Sequence, residues 1–198
     1  MFAELLKFLS LHVDLKQEDY LLLLSKLEQR NYPKKSMLIN IGEVESNLHF
    51  IQKGLARKFF YRNKDEIITH IVKEGGIISS AASFFSQQPS RYAIEALEPT
   101  QVYSISKEKL EELFALDNKW EMVGRVITTS FLIRQEQFLM DNIRLTVKER
   151  FKKFMTENPD LLQRVPQKQL AGYLNIKQET FSRMKHLMFD QLNNPVSH

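Results

Sequence analysis

The sequence predicts an α+β chain, a block of short strands followed by a helical half that carries a helix-turn-helix. Three observations predict it. From Asn31 onward, short β-rich segments recur between turn residues, a spacing that suggests a sandwich or barrel rather than alternating β-α units. After Ser106 the apolar positions keep helical spacing for the rest of the chain. Near residue 175 two short amphipathic segments meet at an asparagine, with a small inward residue shortly before it.

Ahead of the strands, residues 4–29 carry Leu5, Phe8, Leu9, Leu15, Tyr20, Leu23, Leu24 and Leu27 at helical spacing, with a break at 14–17 where a second helix begins. Strands are predicted over residues 37–41, 48–52, 55–61, 67–72, 91–96 and 101–105. Turn chemistry separates them at 41–43, 52–54, 62–65, 74–76 and 98–100. Ser106, followed by Glu108 and Lys109, reads as a helix N-cap.

Residues 120–140 contain no proline and no loop signal, enough for about 30 Å of helix. This segment bears two apolar stripes. One runs Val123, Ile127, Phe131, Phe138; the other is Met122, Val126, Ile133, Met140, the last three spaced by seven. Two stripes suggest one face on the β domain and the other on a second copy, as in a coiled-coil seam. A helix sunk in one larger core is the alternative. Residues 141–145 read as a hinge, and helices follow over 146–157, 167–174 and 178–192. The expected domains are thus 1–118, 119–141 and 142–198.

The 198 residues are 43% hydrophobic and 26% charged, ordinary for a chain that buries a core. The longest apolar run, Tyr20 to Leu24, is far short of the roughly twenty residues a membrane span needs. Glu4 and Lys7 interrupt the first residues, so no secretion signal is expected and a cytoplasmic location is. The absence of cysteine excludes disulfides, thiolate nucleophiles and cysteine-held clusters. The five histidines show no metal-binding spacing, so no metal is expected. Net charge is +4, and its location matters more than its size. Residues 141–198 hold ten Lys/Arg against six Asp/Glu, whereas residues 1–140 are balanced. A surplus confined to the C-terminal part suits contact with a polyanion, although ordinary surface scatter also produces four charges.

Residues 165–187 carry the chemistry. Leu170, Ala171 and Leu174 give a first helix its inward face, and Ala171 is small enough for close approach of a second. Asn175 tolerates a left-handed turn, and Ile176 fills the corner. Phe181, Met184 and Leu187 or Met188 form the inward stripe of the second helix. Its other face offers Lys177, Gln178, Glu179, Ser182, Arg183 and Lys185, with Thr180 beside them. These are groups that read base edges and hold phosphates.

Here the chain resembles the CRP/FNR family of bacterial transcription regulators, through 167–174 and Glu179-Thr180-Phe181-Ser182-Arg183. The upstream half is similar to that family's cyclic-nucleotide-binding β-roll. Gly42-Glu43, Leu48-His49-Phe50-Ile51, Gly54 and Arg57 stand where the family has its G-E and F-I-x-x-G-x-x-R signature. The resemblance implies an N-terminal β-roll, a long dimerisation helix and a C-terminal winged helix-turn-helix. It implies that Gln178, Glu179 and Arg183 read bases, that Gln167 and Lys168 touch phosphate, and that a homodimer meets two successive major grooves of double-stranded DNA. RNA polymerase is a further partner such a regulator would have.

The same resemblance tests for cyclic AMP. Family members that bind it have a Gly-Glu pair followed, after a short helix, by Arg-Ser or Arg-Thr. Counted back from Ile94-Glu95-Ala96-Leu97, this chain has Ala81 for the glutamate and Ser90 for the arginine, with Arg91 one position late. One step along a strand turns a side chain to the opposite face. Cyclic AMP is therefore not expected. The region of Ser79, Ser80, Ser83, Phe84, Phe85, Arg91 and Tyr92 either takes another small effector or is filled by side chains.

The expected function is a homodimeric, sequence-specific DNA-binding regulator. The alternative is a small-molecule sensor whose helix-turn-helix serves assembly. No phosphate-cradling glycine loop or Ser/His/Asp order appears, so no catalytic residue is expected; Glu43/Glu45 and Glu111/Glu112 read as turn and solvated helix residues.

Overall fold

A computed structural model describes residues 9–63 and 65–193, with side chains to residue 187. The chain divides into two compact units, Met1–Phe60 with Thr69–Arg134, and Tyr61–Ile68 with Gln135–His198.

Helix α1 (Gln17–Lys26) leads into strands β1 (Glu28–Tyr32), β2 (Met37–Ile39), β3 (Asn47–Lys53), β4 (Leu55–Arg62), β5 (Asp65–Lys73) and β6 (Ile77–Ile78), all in the first unit except the Tyr61–Ile68 ends of β4 and β5. A short helix α2 (Ala81–Ser86) separates these from β7 (Ala93–Ala96) and β8 (Thr100–Ser106). The strands form two four-stranded sheets, ordered β1-β8-β3-β6 and β2-β7-β4-β5. Between them lie Ile39, Ile51, Ala56, Val72, Ile78, Ile94 and Val102. Strand alternation divides β3 and β8 between two cores. Ile51 and Val102 face the sandwich interior, while Leu48, Phe50, Tyr103 and Ile105 pack beneath Leu23 of α1, Phe84 of α2 and the helices that follow β8.

Those helices are α3 (Lys107–Leu116) and the long α4 (Asn118–Arg144). Ser106 caps α3 as expected, its Oγ accepting from the Lys109 N–H at 3.2 Å. Leu110, Leu113, Trp120 and Val123 are buried in the outer core, with Val126, Ile127 and Phe131 packed against it.

The sheet also corrects the sequence reading. Glu28 and Gln29 open a strand, Glu28–Tyr32, rather than closing the helical stretch expected to reach residue 29. The Glu-Gln-Arg-Asn-Tyr composition has little β-propensity, and it is pairing along the edge of β8, from Glu28↔Ser104 to Tyr32↔Thr100, that makes these residues a strand. β6 is too short to leave a pattern. Gly54 marks a close approach: its φ is +99°, and a Cβ there would lie 2.6 Å from the Pro99 carbonyl oxygen.

α4 runs through residues 141–144, so the expected hinge is helix. The break falls at Leu145–Thr146 because Thr146 and Glu149 form a reciprocal capping box that starts a new helix. The second unit continues with α5 (Val147–Glu157), α6 (Leu161–Arg164), α7 (Gln167–Tyr173) and α8 (Gln178–Asn193). Phe151, Phe154, Met155, Leu161, Val165, Leu170, Ala171, Leu174 and Phe181 are its buried apolar residues. No strand lies between residues 141 and 193, so among the described residues the helix-turn-helix stands without the expected wing. No helix among the described residues is long and apolar enough to cross a membrane.

Candidate functional site

The corner between α7 and α8 is built as a helix-turn-helix. Leu170 and Ala171 are fully buried on α7, and Phe181 on α8 is 0% exposed, its ring 5.3 Å from that of Phe151. Asn175 has φ +55°, the left-handed conformation its residue type tolerates. The Ile176 N–H then returns to the Ala171 carbonyl at 3.0 Å, closing the turn. Arg150 ties the corner to α5, its guanidinium donating to the Leu145 carbonyl (2.9 Å) and the Leu174 carbonyl (3.4 Å). Tyr173 packs between Phe138 and Phe154.

That corner presents the polar face of α8. Lys177, Gln178, Glu179 and Arg183 are exposed, as is Lys168 at the start of α7; Gln167, Thr180, Ser182 and Lys185 are half-buried. Of the two candidates for the third inward position, Leu187 is 58% exposed and Met188 lies outside the described side chains; Phe181 with half-buried Met184 carries the packing that is described.

On α4, Met122, Ile133 and Met140 are exposed, together with Leu132, Leu139 and Ile143. Val126 does not belong with them, because it packs on the β-roll core. At 100° per residue, the exposed set lies opposite Val123, Ile127 and Phe131. The helix is therefore apolar on two faces, one of them uncovered.

The region considered for an effector is closed. Ser79, Ser80, Ser83 and Ser90 are each at most 3% exposed. Ser90 Oγ lies 2.7 Å from Ser80 Oγ and accepts from the Tyr92 N–H at 3.0 Å. Arg91, expected among the same pocket residues, is exposed instead and does not join these buried serines. Phe84 is buried and Phe85 exposed.

Three residues not expected in this region, Glu45, His49 and Lys58, complete the cluster. Glu45, read as a turn acid, is 2% exposed. Its neighbour Glu43 does behave as a turn residue, bonding Asn40. His49 is 1% exposed, its Nδ1 2.8 Å from Ser104 Oγ, because the β3–β8 register sets His49 opposite Ser104. Burial holds its pKa down to about 4, so it is neutral. Lys58 donates to the Ser79 carbonyl (3.3 Å) and lies over the Tyr92 ring; burial pulls it down to about 8 against the opposing charge of Glu45. The spacing of Glu45 and His49, four residues across a strand entry, was the one available signal.

Arg57, part of the sequence signature, is structural. It pairs with Glu95 at 2.6 Å, its direct partner in the β4–β7 register, and stacks on Phe59. Among the described residues no group of histidines and acids is placed to hold a metal.

Comparison with known proteins fits this geometry. Residues 29–117 match the family model of the cyclic nucleotide-binding domain. No curated protein sequence matches the chain. Among solved structures, the c-di-GMP-responsive global regulator CLP of Xanthomonas campestris is similar, with TM-score 0.70, 17% identity, and coverage of 87% of this chain and 92% of that one. FixK2 of Bradyrhizobium japonicum has TM-score 0.70 and 21% identity, covering 83% and 85% of the two chains. A CRP/FNR-family regulator of Eubacterium rectale has TM-score 0.68 and 16% identity, covering 93% and 88%. The first unit thus has the β-roll of a cyclic nucleotide-binding domain. Over most of its length the chain has the fold of CRP/FNR-family transcription regulators.

Proposed function

We propose that the chain is a homodimeric, sequence-specific DNA-binding transcription regulator of the CRP/FNR type that works without cyclic AMP. The observation that carries this reading is the exposed row Lys177, Gln178, Glu179 and Arg183 on a helix whose other face is anchored through Phe181. Gln178, Glu179 and Arg183 read bases in the major groove, while Gln167, Lys168, Lys177, Thr180, Ser182 and Lys185 contact or support phosphate. The uncovered stripe of α4 joins two copies, which sets two recognition helices about 34 Å apart on a pseudo-palindrome. The protein acts in the cytoplasm, with RNA polymerase as its partner in transcription.

Independence from cyclic AMP is supported by Ala81 and Ser90, which bring no charge, and by Arg91, which lies outside the cluster. An anionic ribose phosphate would lose its strongest contacts there. The test is selection of duplexes from a random library with and without cyclic AMP. Recovery of a pseudo-palindrome in both conditions is expected. Recovery only with cyclic AMP would overturn the effector argument, and no enrichment in either would overturn the regulator reading.

A further inference from the structure

Glu45 is a buried carboxylate with no guanidinium partner among the described residues, an expensive group for the interior of a β-roll. Its surroundings are donors. Oε1 accepts from the Asn47 N–H at 3.1 Å and Oε2 from the Ser80 N–H at 3.3 Å. Burial pushes the Glu45 carboxyl above its ordinary range, opposed by these two backbone donors and by the charge of Lys58; the Ser79 hydroxyl beside it is buried and makes no hydrogen bond among the described residues. His49 Nε2, fully buried and without a hydrogen-bond partner, lies 3.8 Å from Oε1. The main chain of Glu45 is fastened to the same segment. Its N–H donates to Ser83 Oγ at 2.9 Å, and its carbonyl accepts from Gln87 Nε2 at 3.4 Å.

Two backbone N–H groups from different segments, with an unpartnered hydroxyl and an ammonium near them, are what a small oxyanion from solution would require. Here the anion they receive comes from the chain itself. We propose that Glu45 is an intramolecular ligand, its carboxylate filling an oxyanion site formed by Asn47, Lys58, Ser79 and Ser80, so that the β-roll is ordered around this site with no small molecule. Truncation of Glu45 then opens a site for a carboxylate of formate or acetate size. This deepens the effector-independent reading, although its first readout requires no DNA.

The experiment compares thermal unfolding of the full chain, Glu45→Ala and Glu45→Gln, in sodium acetate or in sodium chloride of equal ionic strength. Acetate is expected to leave the wild-type midpoint unchanged. It is expected to raise the lowered midpoint of Glu45→Ala along a saturable mass-action curve that chloride does not reproduce. Glu45→Gln, which keeps the side-chain volume, is expected to show no acetate response. An equal acetate response in wild type and Glu45→Ala, or a Glu45→Ala midpoint equal to wild type, would overturn the proposal. If Glu45→Ala does not fold, carboxyl-carbon NMR of the wild type, assigned against Glu45→Gln, decides. A Glu45 signal that ignores acetate and titrates higher still in Lys58→Met supports the internal ligand; titration like an exposed glutamate, or no change in Lys58→Met, overturns it. Acetate rescue of the midpoint in a protein that binds no DNA would support the internal ligand while sinking the regulator reading.

Discussion

Arg183 and His49 show how differently single residues contribute in the two units. Arg183 is an exposed guanidinium on a packed helix, a group suited to bidentate contact with a guanine. Arg183→Ala is expected to cost about 1–3 kcal/mol in affinity and relax one base position, read by repeating the duplex selection on the variant. Equal weakening on every sequence would make Arg183 a phosphate contact instead. His49 acts on stability. Unfolded, its imidazole titrates near 6.5; folded, burial holds it at about 4. Between these values the unfolded chain takes up a proton that the folded chain refuses. Stability is therefore full above pH 6.5 and falls toward pH 4, by up to about 3 kcal/mol from this group. His70, held at about 4 by burial and by Lys58 and Arg134, acts in the same direction. Urea unfolding of His49→Gln is expected to show a shallower acid loss than wild type; an unchanged profile would remove His49 as the cause.

At the scale of elements, α4 and the α7–α8 corner carry the functional argument. α4 buries Trp120 and Val123 on one side and leaves Met122, Ile133, Leu139 and Met140 open on the other. On the proposed reading, a second copy covers that open apolar face. Ile133→Glu is expected to shift the protein toward monomer in sedimentation and to lower DNA affinity with it. Unchanged sedimentation would sink the seam assignment. In the corner, Asn175 at φ +55° is the conformational requirement. Asn175→Val is expected to cost roughly 1–3 kcal/mol of unfolding free energy, because a β-branched residue is strained there.

For the whole molecule, charge distribution gives a further test. All of the +4 lies in residues 141–198. Lys168, Lys177 and Lys185 amount to six cations in a dimer, so log affinity against log salt is expected to fall with a slope of about −5. Lys168→Ala is expected to flatten that slope by about two and weaken all sequences alike. A slope near zero would favour assembly as the role of the helix-turn-helix.

Much of this was legible from residues alone. The strand segments from Met37 onward, the helix order after Ser106, the Ser106 cap, the Asn175 turn and the helical spacing of apolar residues along α4 are local patterns that local sterics and periodicity determine. The break between helices is also written in the sequence, as the Thr146–Glu149 capping box, which lies just beyond the expected hinge at 141–145. Other features were decided only by tertiary structure. Residues 28–32 became strand because β8 offered an edge to pair with. Val126 turned to the core, and Leu187 stayed exposed, because burial depends on which neighbours exist and not on spacing. The Glu45 site was hidden for the same reason. Its donors are the N–H groups of residues 47 and 80, with Lys58 and Ser79 near them, and only the folding of β3, β4 and the segment before α2 brings them to one carboxylate.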